Sequence, residues 1–244
     1  MRNLRLVIEY DGTNYQGWQS QKTAPTIQDT LEAAFSRIVN HRVRLAGSGR
    51  TDSGVHALGQ VANFVTDTHL PLDSLLKGAN SLIRPDIVIK SIVEADNSFH
   101  ARFSAKSRVY EYRLWNAPQP SVFLRNYAWW IQQKLDVGLM ERSARSLIGR
   151  HDFSSFRGSD DGETTPEREV LGIGFRQEEE KITFSIHANA FLRHMVRNII
   201  GTLVEVGRKR ISPDRFGEIL GARDRRKAGI TAPPHGLFLI TVWY

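Results

Sequence analysis

Short runs of alternating apolar residues and stretches with apolar residues at helical spacing follow one another in an order that repeats once, which restricts the chain to a two-part α+β architecture. Residues 4–10, L-R-L-V-I-E-Y, read as a strand, and D-G-T-N then marks a turn. Thr26 with Asp29 three residues later gives a capping signal, and Ile27, Leu31, Phe35 and Ile38 recur at helical spacing up to Asn40. Strands are expected near 42–46 and 60–66. Leu72, Leu75, Leu76, Ala79 and Ile83 form a second helical face that stops before Pro85, and D-I-V-I-K-S-I-V follows as a strand. The order β-α-β-β-α-β is the ferredoxin-like arrangement.

The second half reads the same way, with strand 106–115, a helix over about 138–149, strands 168–176 and 181–188, a helix over 190–206 and a closing strand 236–243. A short helix fits 213–220, with Ser212 as cap, Pro213 in its first turn and Gly221 at its end. Residues 151–168 read as a polar loop, longer than most connections and so either functional or mobile. Two α+β halves are expected, 1–104 and 105–244, with mixed and antiparallel sheet around a central cleft.

Composition narrows the chemistry. Among 244 residues there is no cysteine, which excludes disulfides, thiolate nucleophiles and cysteine-ligated zinc, and the eight histidines show no H-x-x-x-H or H-x-E spacing. No metal is therefore expected. No apolar run approaches the ~20 residues that span a bilayer and the start has no signal-peptide core, so a cytoplasmic protein without a membrane partner is expected. Lys and Arg number 33 against 26 Asp and Glu, a net charge of +7. That balance suits a polyanion, because phosphate neutralisation dominates nucleic-acid affinity.

Residues 47–60, G-S-G-R-T-D-S-G-V-H-A-L-G-Q, place one carboxylate, Asp52, in a glycine-rich turn. On this stretch alone, an ordinary hairpin loop with an Asx-turn remains as good a description as a functional site. A dinucleotide loop fails on spacing, since only V-H-A-L-G separates Gly54 from the strand at Gln60, too short for a parallel crossover. T-D-S-G matches the turn of an aspartic protease, but no second D-[ST]-G supplies the partner carboxylate, and a glycosidase fails for the same want. An enzyme acting on an RNA base fits better. S-R-V-Y-E-Y-R, residues 107–113, puts Tyr110 and Tyr112 on one strand face where a base can stack. In N-A-F-L-R-H-M-V-R-N-I-I-G, Phe191, Met195 and Ile199 are expected to pack inward while Arg193 and Arg197 lie a turn apart, and an arginine there wants an anionic partner such as Asp52.

Four motifs spread over the whole chain, G-R-T-D-S-G-V-H-A, F-H-A-R-F-S-A-K-S-R-V-Y-E-Y, H-D-F-S-S-F-R and N-A-F-L-R-H-M-V-R-N-I-I-G, resemble the tRNA pseudouridine synthase A family. The resemblance implies the pseudouridine synthase fold and a homodimer that needs no cofactor or metal. Its substrate would be tRNA, with uridines 38, 39 and 40 of the anticodon stem-loop isomerised to pseudouridine. Position by position, it implies that Asp52 is the catalytic aspartate, that Tyr110 packs on the target base and that Arg197 pairs with the aspartate. It further implies that Arg50 helps extrude the nucleotide. Gly54 and His56 of the same turn are also expected at the substrate, the glycine letting the backbone close on the ribose. The basic stretch from Arg208 to Lys227 stays open between a phosphate-facing surface and a solvated one, and a non-catalytic RNA-binding protein remains the alternative from another class.

Overall fold

A computed structural model describes residues 1–22, 24–158 and 165–244. The chain forms two compact units, Met1–Lys106 with Phe238–Tyr244, and Ser107–Leu237.

The first unit contains β1 (Arg2–Tyr10), α1 (Ile27–Val39), β2 (Ala46–Gly47), β3 (His56–Thr66), α2 (Leu72–Leu82) and β4 (Ile87–Ala95). Its strands run β4-β1-β3 with β2 on the far side of β3, all antiparallel, which is the ferredoxin-like order expected from the sequence. Alternation along β1 turns Leu4, Leu6, Ile8 and Tyr10 into the core, opposite Phe64 and Ala62 of β3. Leu31 and Phe35 of α1 are buried too, with the Phe35 ring 4.9 Å from Phe64. Thr26 caps α1, its hydroxyl accepting the Asp29 N–H at 3.1 Å, a contact that contributes about 1 kcal/mol.

The strand expected at 42–46 shrinks to Ala46–Gly47. The reason is local: side chains of α1 satisfy the backbone that a ladder would have used. Ser36 accepts the N–H of Val43 at 2.9 Å and Glu32 that of Leu45 at 2.9 Å, while Gln28 donates to the Leu45 carbonyl at 3.2 Å. The closing strand expected at 236–243 is β10 (Leu237–Trp243), and its backbone pairs in parallel with β3, Phe238 opposite His56 and Leu239 opposite Ala57.

The second unit contains β5 (Ser107–Trp115), β6 (Trp129–Trp130), α3 (Val137–Ala144), β7 (Gly149–Asp152), β8 (Glu167–Glu178), β9 (Lys181–Ala188), α4 (Met195–Gly207) and α5 (Pro213–Ala222). The order β5-β9-β8-β7 is antiparallel, and β6 adds a short parallel pair to β5. Helix α3 ends earlier than expected, in a 3-10 turn over Arg145–Leu147, and Gly149 at φ +101 leads into β7. The 151–168 stretch is therefore not one loop. His151 and Asp152 pair with Arg168 and Glu167, and Phe153 and Phe156 are core residues, the latter stacked 5.8 Å from Phe216 of α5. The part at 159–164 lies outside the described residues.

Helix α4 begins at Met195, five residues later than the spacing suggests, because His194 takes a left-handed conformation at φ 59. Phe191 and Arg193 thus precede the helix, and Arg193 is not a helical turn from Arg197. The helix is buried nearly all round, as expected of an element at the centre of a core. Residues 228–232 cross it closely: a Cβ at Gly201 would collide with the Ile230 carbonyl. A buried polar network holds this crossing. Asn198 donates to the Phe156 carbonyl at 2.8 Å and accepts from Thr231 at 2.6 Å and Arg225 at 3.1 Å, while Thr202 accepts the Gly229 N–H at 2.9 Å. Helix α5 has the expected Ser212 cap but runs past Gly221 to Ala222, with Arg223 at φ 53 as its left-handed terminus.

Replacing Asn198 with Ala strands several of these buried groups. The expected result is a loss of about 2 to 3 kcal/mol in thermal or denaturant unfolding, against little change for a surface control such as Glu218→Ala.

Candidate active site

The eight residues between β2 and β3 carry Arg50, Asp52 and Gly54. They are braced by the connection from β1 to α1, residues 11–26. Ahead of Asp52, the Thr51 carbonyl accepts the Trp18 N–H at 3.1 Å and its hydroxyl shares a 2.8 Å hydrogen bond with the buried Tyr10 phenol. Behind it, the Tyr15 carbonyl accepts the Gly54 N–H at 3.3 Å and the Ser53 hydroxyl at 3.2 Å, and Val55 N–H closes the turn onto the Asp52 carbonyl at 3.2 Å. The Tyr15 side chain is itself anchored, donating to Asp86 at 2.7 Å; burial, and then that carboxylate, raise its pKa and keep it a proton donor. On the other limb, buried Ser48 donates to Gln60 at 2.6 Å and Gln60 donates to the Gly49 carbonyl at 3.1 Å.

Two glycines make this approach possible. A Cβ at Gly12 would collide with the Val55 carbonyl, and one at Gly17, which sits at φ +84, with the Thr51 carbonyl. Gly54 also has positive φ, +75, so the turn after Asp52 needs a residue without a side chain. The result is a half-buried carboxylate on a backbone fixed from both sides, with Arg50 exposed two residues earlier. His56 is 1% exposed and lies behind the loop. Its Nδ1 accepts the Gly12 N–H at 3.1 Å, also lies 3.1 Å from Asp11, and the ring stacks on Phe238 at 4.6 Å.

Tyr110 and Arg197 belong to the second unit. Tyr110 sits in β5 opposite Ile186, 8% exposed, with its ring edge-on to Phe191 at 5.0 Å. Tyr112 shares that strand face but is fully buried: its hydroxyl donates to the Pro233 carbonyl at 2.7 Å, and burial raises its pKa. The expected pair of stacking tyrosines is corrected accordingly, with Tyr112 a core residue. Arg197, in the first turn of α4, is half-buried; its Nε donates to the Ala232 carbonyl at 2.8 Å while Ala232 N–H returns to the Arg197 carbonyl at 3.1 Å. The strap over α4 therefore sets the direction of the guanidinium. Nearby His235 is kept toward its neutral form by burial first and by the Arg197 charge in addition.

Much of the basic stretch 208–227 is matched internally. Arg208 and Arg210 both reach Glu205, at 2.8 and 3.1 Å, Arg215 reaches Glu218 at 2.6 Å and Arg226 reaches Asp224 at 2.9 Å. Arg225 points inward to the Asn198 network, and burial lowers its pKa. A hollow of about 360 Å³ between β7 and α5 contains none of the site residues, and its charges pair with one another, Arg150 with Glu167 and Arg223 with Asp152. Among the described residues no set of His, Asp and Glu side chains converges to hold a metal ion, and no helix is long and apolar enough to cross a membrane.

The sequence reading took D-G-T-N as a simple turn and missed Gly12, Tyr15, Gly17 and Trp18. A signal was available: a polar connection that carries two glycines and two large aromatics, both of them buried, is built to be packed against.

The family model for tRNA pseudouridine synthase matches residues 6–104 and 143–244. Curated relatives extend the match over the segment between, which holds Tyr110. A protein named tRNA pseudouridine synthase A from Acetivibrio thermocellus is 46% identical, covering 100% of both chains. One of the same name from Geotalea uraniireducens is 43% identical over the same span, and another from Francisella tularensis subsp. novicida is 40% identical over 100% of this chain and 95% of its own. The chain belongs to the tRNA pseudouridine synthase family.

Gly17→Ala is expected to displace the Thr51–Asp52 backbone without disturbing the sheet. Turnover should fall by roughly 100-fold, the scale of a misplacement near 1 Å, with tRNA binding retained and the unfolding midpoint lowered by the strain of an alanine at positive φ. Single-turnover kinetics beside a filter-binding titration would check this.

Proposed function

We propose that Asp52 is the catalytic carboxylate of a uridine-to-pseudouridine isomerase, that Arg197 pairs with it, and that Tyr110 receives the target base. The proposed substrates are uridines 38, 39 and 40 of the tRNA anticodon stem-loop, and the acting species is a cytoplasmic homodimer that uses no cofactor. Membership of the tRNA pseudouridine synthase family defines the reaction class. The observation that carries the residue assignment is the bracing of the Asp52 turn on both sides by main-chain contacts to Thr51, Ser53 and Gly54. A nucleophile or base acting on ribose needs such fixed placement.

The reaction breaks the bond from C1′ to N1 and forms one from C1′ to C5; the C5 proton is then lost, with the Tyr110 hydroxyl helping to move it, and N1 gains a proton. Water is not consumed, so a single carboxylate suffices where a glycosidase needs two. Uracil leaves as a delocalised anion that requires little protonation. Asp52 attacks C1′ or removes the 2′ proton, and both routes use the ionised carboxylate. In the proposed pairing, Arg197 supplies a charge-assisted hydrogen-bonding partner for that carboxylate. Before chemistry the base has to leave the stack at a cost of about a few kcal/mol. Stacking on Tyr110 returns ~1 to 3 kcal/mol, and Arg50, exposed on the same turn as Asp52, is suited to fill the space left behind. His56, lying behind the loop, acts as a positioning residue through Gly12, and Gly54 lets the backbone close on the ribose.

Carbodiimide primer extension on an unmodified tRNA transcript tests the assignment. Stops at 38, 39 and 40 are expected with wild type. Arg197→Ala should lose far more turnover than tRNA affinity, and near-normal turnover would remove the pairing. Tyr110→Phe separates stacking from proton transfer, since it keeps the ring and loses only the hydroxyl.

A further inference from the structure

Residues 96–106 follow β4 and carry Phe103, which is 77% exposed. An exposed phenylalanine on a loose loop would be unremarked, but this loop is held rigidly. Two asparagines facing the interior of β1 and β3 are given over to it. Asn3 donates to the carbonyls of Asp96 at 2.9 Å and Phe99 at 2.8 Å, and Asn63 donates to Asn3 at 2.9 Å while accepting the Ala101 N–H at 2.8 Å. Ser104 closes the tip, its N–H donating to the His100 carbonyl at 2.9 Å and its hydroxyl accepting the His100 N–H at 3.1 Å. The chain end adds a further clamp, with Tyr244 donating to the Ala101 carbonyl at 2.8 Å and the Phe99 ring 4.9 Å from Tyr244.

The tip presents aromatic and basic groups together. The His100 ring lies 4.4 Å from Phe103, the Arg102 guanidinium 5.7 Å from its centroid, and Arg102 and Lys106 are exposed. What sets this ring apart is its company: an exposed aromatic face held in place and flanked by cations suits an anionic ligand with flat apolar faces. RNA has both properties. The loop hangs from the Asn3 end of β1, whereas the Asp52 turn is tied to Tyr10 at the other end, seven residues or ~23 Å away along the strand. This surface is therefore separate from the Asp52 turn.

We infer that Phe103, with Arg102 and Lys106 beside it, forms a second RNA-docking platform that stacks on an unpaired base of the substrate away from the target uridine. The inference rests on the RNA-substrate reading above. A platform distant from the chemistry acts on substrate capture, so it belongs in KM and not in kcat.

The test uses full-length protein and an unmodified tRNA transcript, with tritium release from C5-labelled uridine for kinetics and filter binding for affinity. Phe103→Ala is expected to raise KM and Kd together by roughly ten-fold or more while leaving kcat unchanged, the scale of one lost base stack, and Phe103→Trp to restore both. Phe103→Leu, which keeps apolar surface and loses the aromatic face, should resemble Phe103→Ala. Unchanged KM and Kd in Phe103→Ala would overturn the inference. So would a variant whose only defect is loss of self-association in sedimentation equilibrium, which would assign the ring to a second copy of the chain. Absence of tritium release by wild type would strike the parent reading alone, because the binding comparison still decides the role of Phe103.

Discussion

The geometry of the candidate site depends on one main-chain acceptor, the carbonyl of Tyr15, which receives both Gly54 N–H and the Ser53 hydroxyl immediately after Asp52. A loop of this length is ordinarily among the more mobile parts of a domain. Here its neighbours on either side are hydrogen-bonded to a second segment, and that segment is anchored in turn through Tyr15 to Asp86 and by the buried indole of Trp18. The contact distance is set by Gly12 and Gly17, where any side chain would occupy the space of a loop carbonyl. Sequence thus reaches function through backbone proximity: two absent side chains allow the hydrogen bonds, and the hydrogen bonds fix the carboxylate.

The second unit uses a different device for its arginine. Helix α4 is too apolar to hold a guanidinium by charge pairing within its own faces, so the chain brings residues 228–232 back across it. Asn198, Thr202 and Arg225 satisfy the polar groups of that strap, and Ala232 then directs Arg197. An arginine that reads as part of a basic surface stretch is consequently an internal support. Each polar group in this network is costly to bury alone and stabilising when paired, which ties the orientation of Arg197 to the integrity of the core.

Elements governed by side-chain periodicity were legible in the sequence. Alternation in L-R-L-V-I-E-Y gave β1, helical spacing gave α1 and α2, and the order of elements gave the ferredoxin-like sheet of the first unit. What escaped was decided by individual contacts and single backbone angles that periodicity does not report. Residues 43–45 look extended, yet side chains of α1 take their hydrogen bonds away from the sheet. The helical spacing from Phe191 runs through His194, whose left-handed backbone delays α4, and no periodicity reports a single dihedral. Tyr110 and Tyr112 have the same alternation, and only the approach of Pro233 and Gly236 separates the fully buried Tyr112 from Tyr110, which keeps 8% of its surface exposed. The turn that carries Asp52 was legible because its glycine-rich surroundings are local, whereas the segment that braces it lies 33 to 43 positions earlier in the chain and carries no motif that announces the contact.

The account stands on a single carboxylate in a fixed turn performing the chemistry. The most direct measurement is tritium release from C5-labelled uridine in an unmodified tRNA transcript, with no added cofactor, comparing wild type with Asp52→Asn under conditions where both bind the RNA. Release by wild type and none by Asp52→Asn, at undiminished affinity, is the predicted result. Comparable release by the two proteins would show that the carboxylate held by this turn does not carry the reaction.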